Sequence, residues 1–339
     1  MSTLYVGCDI AKDSFVAAFQ WNGQQQLLPS MPNSPVGFGS LLQSIRHIQL
    51  LHNLETVHLI IEPTAGYELA LVNFCLAQGF QISLPNPLHV REWARGMRRR
   101  AKTDRQDAIV LARFGAETNP PLWQPLPSEV AELEQMLRRK EDLEQMLRQE
   151  RNRQGTLRER PGLPEAVKSS LERVIGALEQ ELAELEQQIK QHVGQHSELQ
   201  EQARLLLSVP GLGVKNVLWV LVLLHRWKVL GGCGGESKGL VAYVGLDPKP
   251  HESGSSVHKR ALISRMGNRV LRRRLFLSAL GGIRGQNVLR AFYMRLVGRG
   301  KPKKAALIAA ARKIVVWAWA VFRDHTCFDP AKVSPKLAL

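Results

Sequence analysis

Between Ser128 and about Leu207 the sequence is dominated by Glu, Gln, Leu and Arg, with a single break at Arg160-Pro-Gly-Leu-Pro164. That pattern predicts two long helices. In the second, Leu171, Ile175, Leu178, Leu182, Leu185 and Ile189 step by four and three in turn, the seam of a coiled coil. In the first, Leu133, Met136, Leu143 and Leu147 fit a seam with Lys140 inside it. At about 1.5 Å of rise per residue, helices of roughly 30 residues make a long arm. Such an arm spaces two compact parts of a chain and offers a dimer contact, while an intramolecular helical hairpin satisfies the same pattern. A chain of 339 residues exceeds one small core. The expected divisions are residues 1–120, an arm over 128–205, and a mainly helical region over 206–330.

Ahead of the arm the hydrophobic period changes. Leu4 to Gln20 alternates as a β-hairpin around Lys12-Asp13-Ser14, with the turn-like Trp21-Asn22-Gly23 after it. A helical stretch follows from about Val36 to Leu51, then an apolar run at His58–Ile61, a helix from Tyr67 to Ala77, and a strand at Gln81–Leu84 ended by Pro85 and Pro87. Thr103 reads as the N-cap of another helix, with Gln106 completing a capping box. Strands and helices in this order predict an α/β domain with a mixed sheet, joined to an all-α remainder.

Four acidic residues stand out in that domain. Asp9 ends the first strand and Glu62 ends a second, while Asp104 and Asp107 lie three apart on one helix face. Both strand acids follow apolar runs, where a carboxylate is costly without a compensating cation. Converging carboxylates suit Mg²⁺, with Mn²⁺ as a substitute, and phosphoryl transfer is the chemistry that needs them. Arg98, Arg99, Arg100, Lys102 and Arg105 are close in sequence and suited to phosphates. A salt-bridged surface is the simpler alternative.

The net charge of +16 is confined to one segment. Residues 249–313 hold seventeen Lys or Arg against a single acid, Glu252, while the rest of the chain balances 29 basic with 29 acidic residues. Segregation of this kind points to a polyanionic partner, because Lys and Arg displace counterions from phosphates. The candidates for contact are Lys259, Arg260, Arg265, Arg269, Arg272, Arg273, Lys303 and Lys304. Within the segment, Glu252-Ser253-Gly-Ser-Ser256 offers an exposed hydroxyl beside cations, as a nucleophile would need. A linker has the same composition. Upstream, Pro210-Gly-Leu-Gly213 between two helices resembles a helix-hairpin-helix turn, or an ordinary tight turn.

Cys8, Cys75, Cys233 and Cys327 show no paired spacing, and the first residues do not resemble a secretion signal, so a reduced, cytoplasmic protein is expected. Ala305–Phe322 is strongly apolar but interrupted by Arg312 and Lys313, and is read as a buried helix rather than a membrane span.

Six motifs occur in order: Gly7-Cys-Asp9-Ile-Ala-Lys12, Ile61-Glu62-Pro-Thr-Ala-Gly66-Tyr67, Lys102-Thr-Asp104-Arg-Gln-Asp107-Ala108, Pro210-Gly-Leu-Gly213, Ala242-Tyr-Val-Gly-Leu246 and Glu252-Ser-Gly-Ser-Ser256. Together they resemble the DEDD transposases of insertion-sequence family 110, including its 1111 subgroup, over about residues 3–330. The resemblance implies a RuvC-like, RNase H-type first domain, a coiled-coil arm, and a C-terminal transposase domain with a serine nucleophile. By motif, Asp9, Glu62, Asp104 and Asp107 are the metal ligands and Ser253 is the nucleophile. It further implies target and donor DNA, a structured non-coding guide RNA (a bridge RNA), a homodimer or homotetramer, and a bacterial, nucleoid-associated setting without a membrane partner. Other readings of the same residues are a RuvC-like junction nuclease in which water attacks, and a nucleic-acid scaffold without catalysis.

Overall fold

A computed structural model describes residues 2–64, 66–96, 104–158, 162–230, 237–253, 257–264 and 266–333, with the backbone alone at 104, 158, 249–253 and 257–262. The chain divides into two compact units, Met1–Pro125 with Val229–Gly231, and Leu126–Lys228 with Gly232–Leu339.

The first unit is built on a sheet ordered β3-β2-β1-β5-β6, with β4 pairing β2 at the side. β1 (Thr3–Ile10) and β2 (Ser14–Trp21) form the expected hairpin, antiparallel with Asp9 opposite Val16. The chain then turns at Asn22 and Gly23, whose φ values of 42° and 78° suit a tight two-residue hairpin turn, into β3 (Gln24–Leu27). β3 and the short β4 (Met31–Pro32) were not anticipated, because Gln24-Gln-Gln26 carries no apolar alternation. β5 (Thr56–Ile61) and β6 (Gln81–Ser83) add in parallel to β1 through crossover helices α1 (Pro35–His52) and α2 (Leu69–Ala77). Leu41, Ile45, Leu71 and Val72 pack under the strands as one core that includes Phe15, Phe19 and Leu59.

α3 (Pro87–Gly96) begins where the sequence suggested only a strand ending. The Asn86 side chain accepts from Leu88 N–H at 2.9 Å and Pro87 takes the first helical position, so the stop for one element is the start of the next. α4 (Asp104–Thr118) lies across the other face of the sheet. The exit from the sheet is locked inside the unit: buried His58 bonds Ser83 Oγ at 2.8 Å, and that hydroxyl donates to the carbonyls of Pro120 and Pro121 at 3.0 and 2.7 Å.

In the second unit α5 (Ser128–Arg158) and α6 (Glu165–Gln195) pair along their length within one chain. Leu143, Leu147, Ile175 and Leu178 form the seam, with Leu182 and Leu185 against it. Lys140, the odd member of the first seam, pairs with Glu186 at 2.7 Å across the two helices. Near the arm's base Val130, Leu133, Leu137 and Ile189 join the core of the following helices, so arm and C-terminal region share one interior. α6 does not run on to Leu207 as the pattern suggested. It stops at His196 (φ −115°, ψ 96°) and α7 (Ser197–Leu206) starts afresh.

α8 (Val217–Val229), α9 (Ser237–Val244), α10 (Arg269–Gly282), α11 (Val288–Gly298) and α12 (Lys303–Asp324) complete the unit with a hairpin, β7 (Pro248–Ser253) and β8 (Val257–Ile263). At the Pro210–Gly213 turn Gly211 has φ +96°, and a Cβ there would sit 2.8 Å from Ile314 Cδ1 and 3.0 Å from Ser278 O. Only glycine satisfies both the backbone and the packing. By length and composition alone α12 could cross a bilayer despite Arg312 and Lys313. Ala306, Ala310, Ile314, Val315, Trp319 and Phe322 nevertheless place it in the core as a buried helix. Arg274 bridges α10 to the arm: it pairs with Glu141, lies 3.2 Å from Glu144 and stacks 4.9 Å over Trp219.

Candidate active site

The parallel register of β1 and β5 sets Cys8 opposite Ile61, so the next residues, Asp9 and Glu62, leave adjacent strands side by side. Glu62 N–H donates to Cys8 O at 3.4 Å, which fixes the two strand ends to one another. Alternation decides the face. Cys8 and Ile61 enter the α1 and α2 side core, whereas Gly7 and Ile60 meet α4, so Asp9 and Glu62, two residues beyond, fall on the α4 side.

α4 comes down on that face because of two glycines. A Cβ on Gly7 would stand 2.2 Å from both Ala108 O and Ala112 N, and one on Gly115 would stand 2.3 Å from Ile60 Cδ1. The helix backbone therefore rests directly on β1, an approach that any side chain at Gly7 prevents. Ala108, Leu111 and Ala112 are fully or almost fully buried against the sheet. Asp107 continues the same stripe toward the start of the helix at Asp104, where the peptide dipole favours carboxylates. The glycine of the first motif and the acids of the third are thus parts of one contact.

Arg91 on α3 reaches toward the strand ends, its guanidinium 3.7 Å from Glu62 Oε1. Glu68 is buried, and its Oε2 accepts from Thr64 N–H at 2.9 Å and Gly66 N–H at 3.0 Å. Asn33 donates to Tyr67 O at 3.1 Å and to Ala11 O at 3.2 Å. Sequence reasoning passed over Arg91, Glu68 and Asn33. Glu68, an acid opening an apolar helix, carried a visible signal; the other two carried none. Cys8 is no ligand: burial, then the neighbouring Cys75 and Asp9, push its thiol well up, and it belongs to the opposite face.

The donor set is carboxylate oxygen, which fits a hard divalent cation better than a soft one. Among the described residues no three His, Cys, Asp or Glu side chains close to metal-holding distance, and the Asp104 side chain lies outside the description. The structure thus sets Asp9 and Glu62 side by side at the strand ends on the face that α4 covers, with Asp107 in the first turn of that helix, and closes no coordination shell among the described residues.

Ser253 ends β7 and pairs in register with Val257 of β8, while Gly254, Ser255 and Ser256 of the motif lie outside the described residues. Lys259 and Arg260 lie on β8. Arg98, Arg99, Arg100, Lys102, Arg265 and the Thr103 cap fall outside the described residues. Arg269, Lys303 and Lys304 are exposed at helix starts. Arg273 is exposed and also pairs with Glu141, and the half-buried Arg272 donates to the carbonyls of Val244 and Gly267.

Two family profiles match the chain. One, described as Transposase and of the DEDD, IS110 type, covers residues 6–158, which contain all four acids. The other, described as Transposase IS116/IS110/IS902 family, covers residues 203–294, which contain Ser253. The chain is 35% identical over 331 residues to the pilin gene-inverting protein of Moraxella lacunata, spanning 97% of this chain and 98% of that one, and equally so to that of Moraxella bovis. It is 31% identical over 168 residues to an uncharacterized insertion element IS110 protein of Streptomyces coelicolor, over 50% of this chain and 39% of that one. Motif-bearing strand ends, a basic C-terminal region and similarity along 97% of the chain thus converge on one assignment: the chain belongs to the IS110 family of transposases, enzymes of DNA transposition and recombination.

Proposed function

We propose that the first unit is a RuvC-like, RNase H-type domain in which Asp9, Glu62, Asp104 and Asp107 bind Mg²⁺, and that Ser253 is the nucleophile of a site-specific DNA recombination. The observation that carries the metal reading is the seat of α4 on Gly7, which delivers a helix bearing two carboxylates to the strand ends bearing the other two. When bound, the cation would neutralise charge developing on the phosphate. The chain's own residues do the rest.

The Ser253 Oγ attacks phosphorus, the phosphorus–oxygen bond to a deoxyribose hydroxyl breaks, and that hydroxyl leaves with a proton. A phosphoserine link retains the ester so that a hydroxyl of the exchanged strand can attack it in turn and free the serine, without external energy. Double-stranded target and donor DNA are the substrates, and a structured non-coding RNA chooses them by base pairing, as the family resemblance suggests. Pairing would then read sequence while Arg269, Lys259, Arg260, Lys303 and Lys304 grip backbone phosphates. The arm joins two or four copies, and the setting is the bacterial nucleoid. Similarity to pilin gene-inverting proteins supports inversion as well as insertion among the outcomes.

Suicide DNA substrates with the copurified RNA test this reading. A covalent protein–DNA adduct is expected, and it disappears in Ser253→Ala and in Asp104→Ala. An adduct formed by Ser253→Ala protein would overturn the serine assignment, and RNA-independent recombination would overturn guidance. Metal-dependent cleavage that survives the loss of Ser253 would identify water as the attacking group.

A further inference from the structure

The strand ends that carry Asp9 and Glu62 are followed by turns held by side chains outside the four-carboxylate set. After Glu62 the chain turns, and the Thr64 hydroxyl donates to Glu62 O at 3.2 Å. Gly66 stands at φ +99°, a left-handed conformation. The Glu68 carboxylate, 6% exposed, gathers the Thr64 and Gly66 N–H groups on one oxygen, and Tyr67 N–H donates to Thr64 O at 3.0 Å. The turn after Asp9 is fastened separately: Asn33 N–H donates to Asp13 O at 3.0 Å, and the Asn33 amide reaches Ala11 O and Lys12 O at 3.2 and 3.4 Å. That same amide donates to Tyr67 O at 3.1 Å. One side chain therefore ties the segment after Asp9 to the segment after Glu62.

A buried carboxylate spent on two backbone N–H groups is costly unless that backbone has to be held in place. The pairing of β4 with β2, Pro32 opposite Ser14, brings Asn33 to the first turn, and its side chain alone carries the hold across to the second. We infer that Glu68 and Asn33 are positioning residues that set the spacing of the Asp9 and Glu62 carboxylates, acting through backbone rather than by touching metal or DNA. The inference rests on the metal reading above. It predicts a loose site, with ligands present but badly spaced, when either residue is lost.

The test is Mn²⁺ titration of the full-length protein by electron paramagnetic resonance, with hydrogen exchange of the peptide covering Glu62 to Leu69 and thermal unfolding on the same samples. Asn33→Ala and Glu68→Ala are expected to weaken Mn²⁺ roughly tenfold, the lower end of the range for groups behind metal ligands, and to speed exchange in that peptide. Glu68→Gln, whose amide oxygen accepts the same N–H groups, is expected to restore tight binding. Leu41→Ala, a buried position on the far face of the sheet, is expected to lower the melting temperature and leave Mn²⁺ affinity alone. Wild-type affinity in both Asn33→Ala and Glu68→Ala overturns the inference, as does equal weakening by Leu41→Ala. Should Glu68→Ala fail to fold, Asn33→Ala decides. A wild-type protein that binds Mn²⁺ no better than Asp9→Asn removes the metal reading itself, a failure recognisable without either positioning variant.

Discussion

Arg91 and Glu62 show how a single charge pair bears on the proposed chemistry. The guanidinium lies 3.7 Å from a carboxylate oxygen that the metal reading assigns to a cation, and it is more than half exposed. As a structural link such a pair contributes little. As a competitor for Glu62 it has a definite sign. Arg91→Gln is expected to tighten Mn²⁺ binding severalfold while weakening binding to DNA, because a cation near a metal site also serves phosphate. Calorimetric titration with Mn²⁺ beside filter binding of a DNA duplex separates the effects, and parallel loss of both would show that Arg91 supports the fold instead. No charge pattern in the sequence pointed to Arg91, since the pairing depends on how α3 returns over the strand ends.

At the scale of elements, the contact between α4 and β1 matters most. Gly7→Ala places a methyl group 2.2 Å from two backbone atoms of α4, neither of which can rotate aside. The helix must lift, at a cost of about 1–3 kcal/mol or more. Urea unfolding is expected to register that loss, together with abolished strand cleavage, whereas Gly39→Ala, which meets nothing within 4 Å, is expected to do neither. The sheet also carries a pH dependence. Burial holds His58 neutral, with its pKa lowered from 6.5 to about 4. Below pH 6.5 the unfolded chain takes up a proton that the folded chain refuses until about 4, so stability falls as pH drops through that window and is insensitive to this group above it. His225, buried in the second unit beside Gln202, is lowered to about 4 for the same first cause and acts with the same sign. Urea midpoints at pH 7 and pH 5 measure the loss, and His58→Gln is expected to reduce it.

For the whole molecule, the relevant quantity is the charge excess of residues 249–313. Part of it serves the fold, since the buried Arg274 pairs with Glu141 and Arg272 meets backbone carbonyls, whereas Arg273 pairs with the same acid and stays exposed. Lys303 and Lys304 remain exposed at the first turn of α12. If each meets one phosphate, Lys303→Ala with Lys304→Ala is expected to lower the slope of log affinity against log salt by about 2, near 0.9 per contact. An unchanged slope would place the DNA path elsewhere. Counting basic residues thus overstates the binding surface, because an arginine in a basic run can serve a buried acid on a distant helix.

The sequence by itself determined the element periods, the two long helices of the arm, and the four acids at strand and helix ends, because each follows from local spacing. It left open whether the arm closes within one chain, and the described chain pairs α5 with α6, where Lys140 finds Glu186. It also missed β3, whose glutamines are placed by the Asn22-Gly23 turn and not by alternation, and α3, hidden behind a proline that starts rather than stops an element. Only tertiary structure decided that Asp9 and Glu62 emerge side by side on the face where α4 lies. That depends on parallel register and on Gly7 admitting a helix backbone, a relation between residues a hundred positions apart that no local pattern encodes.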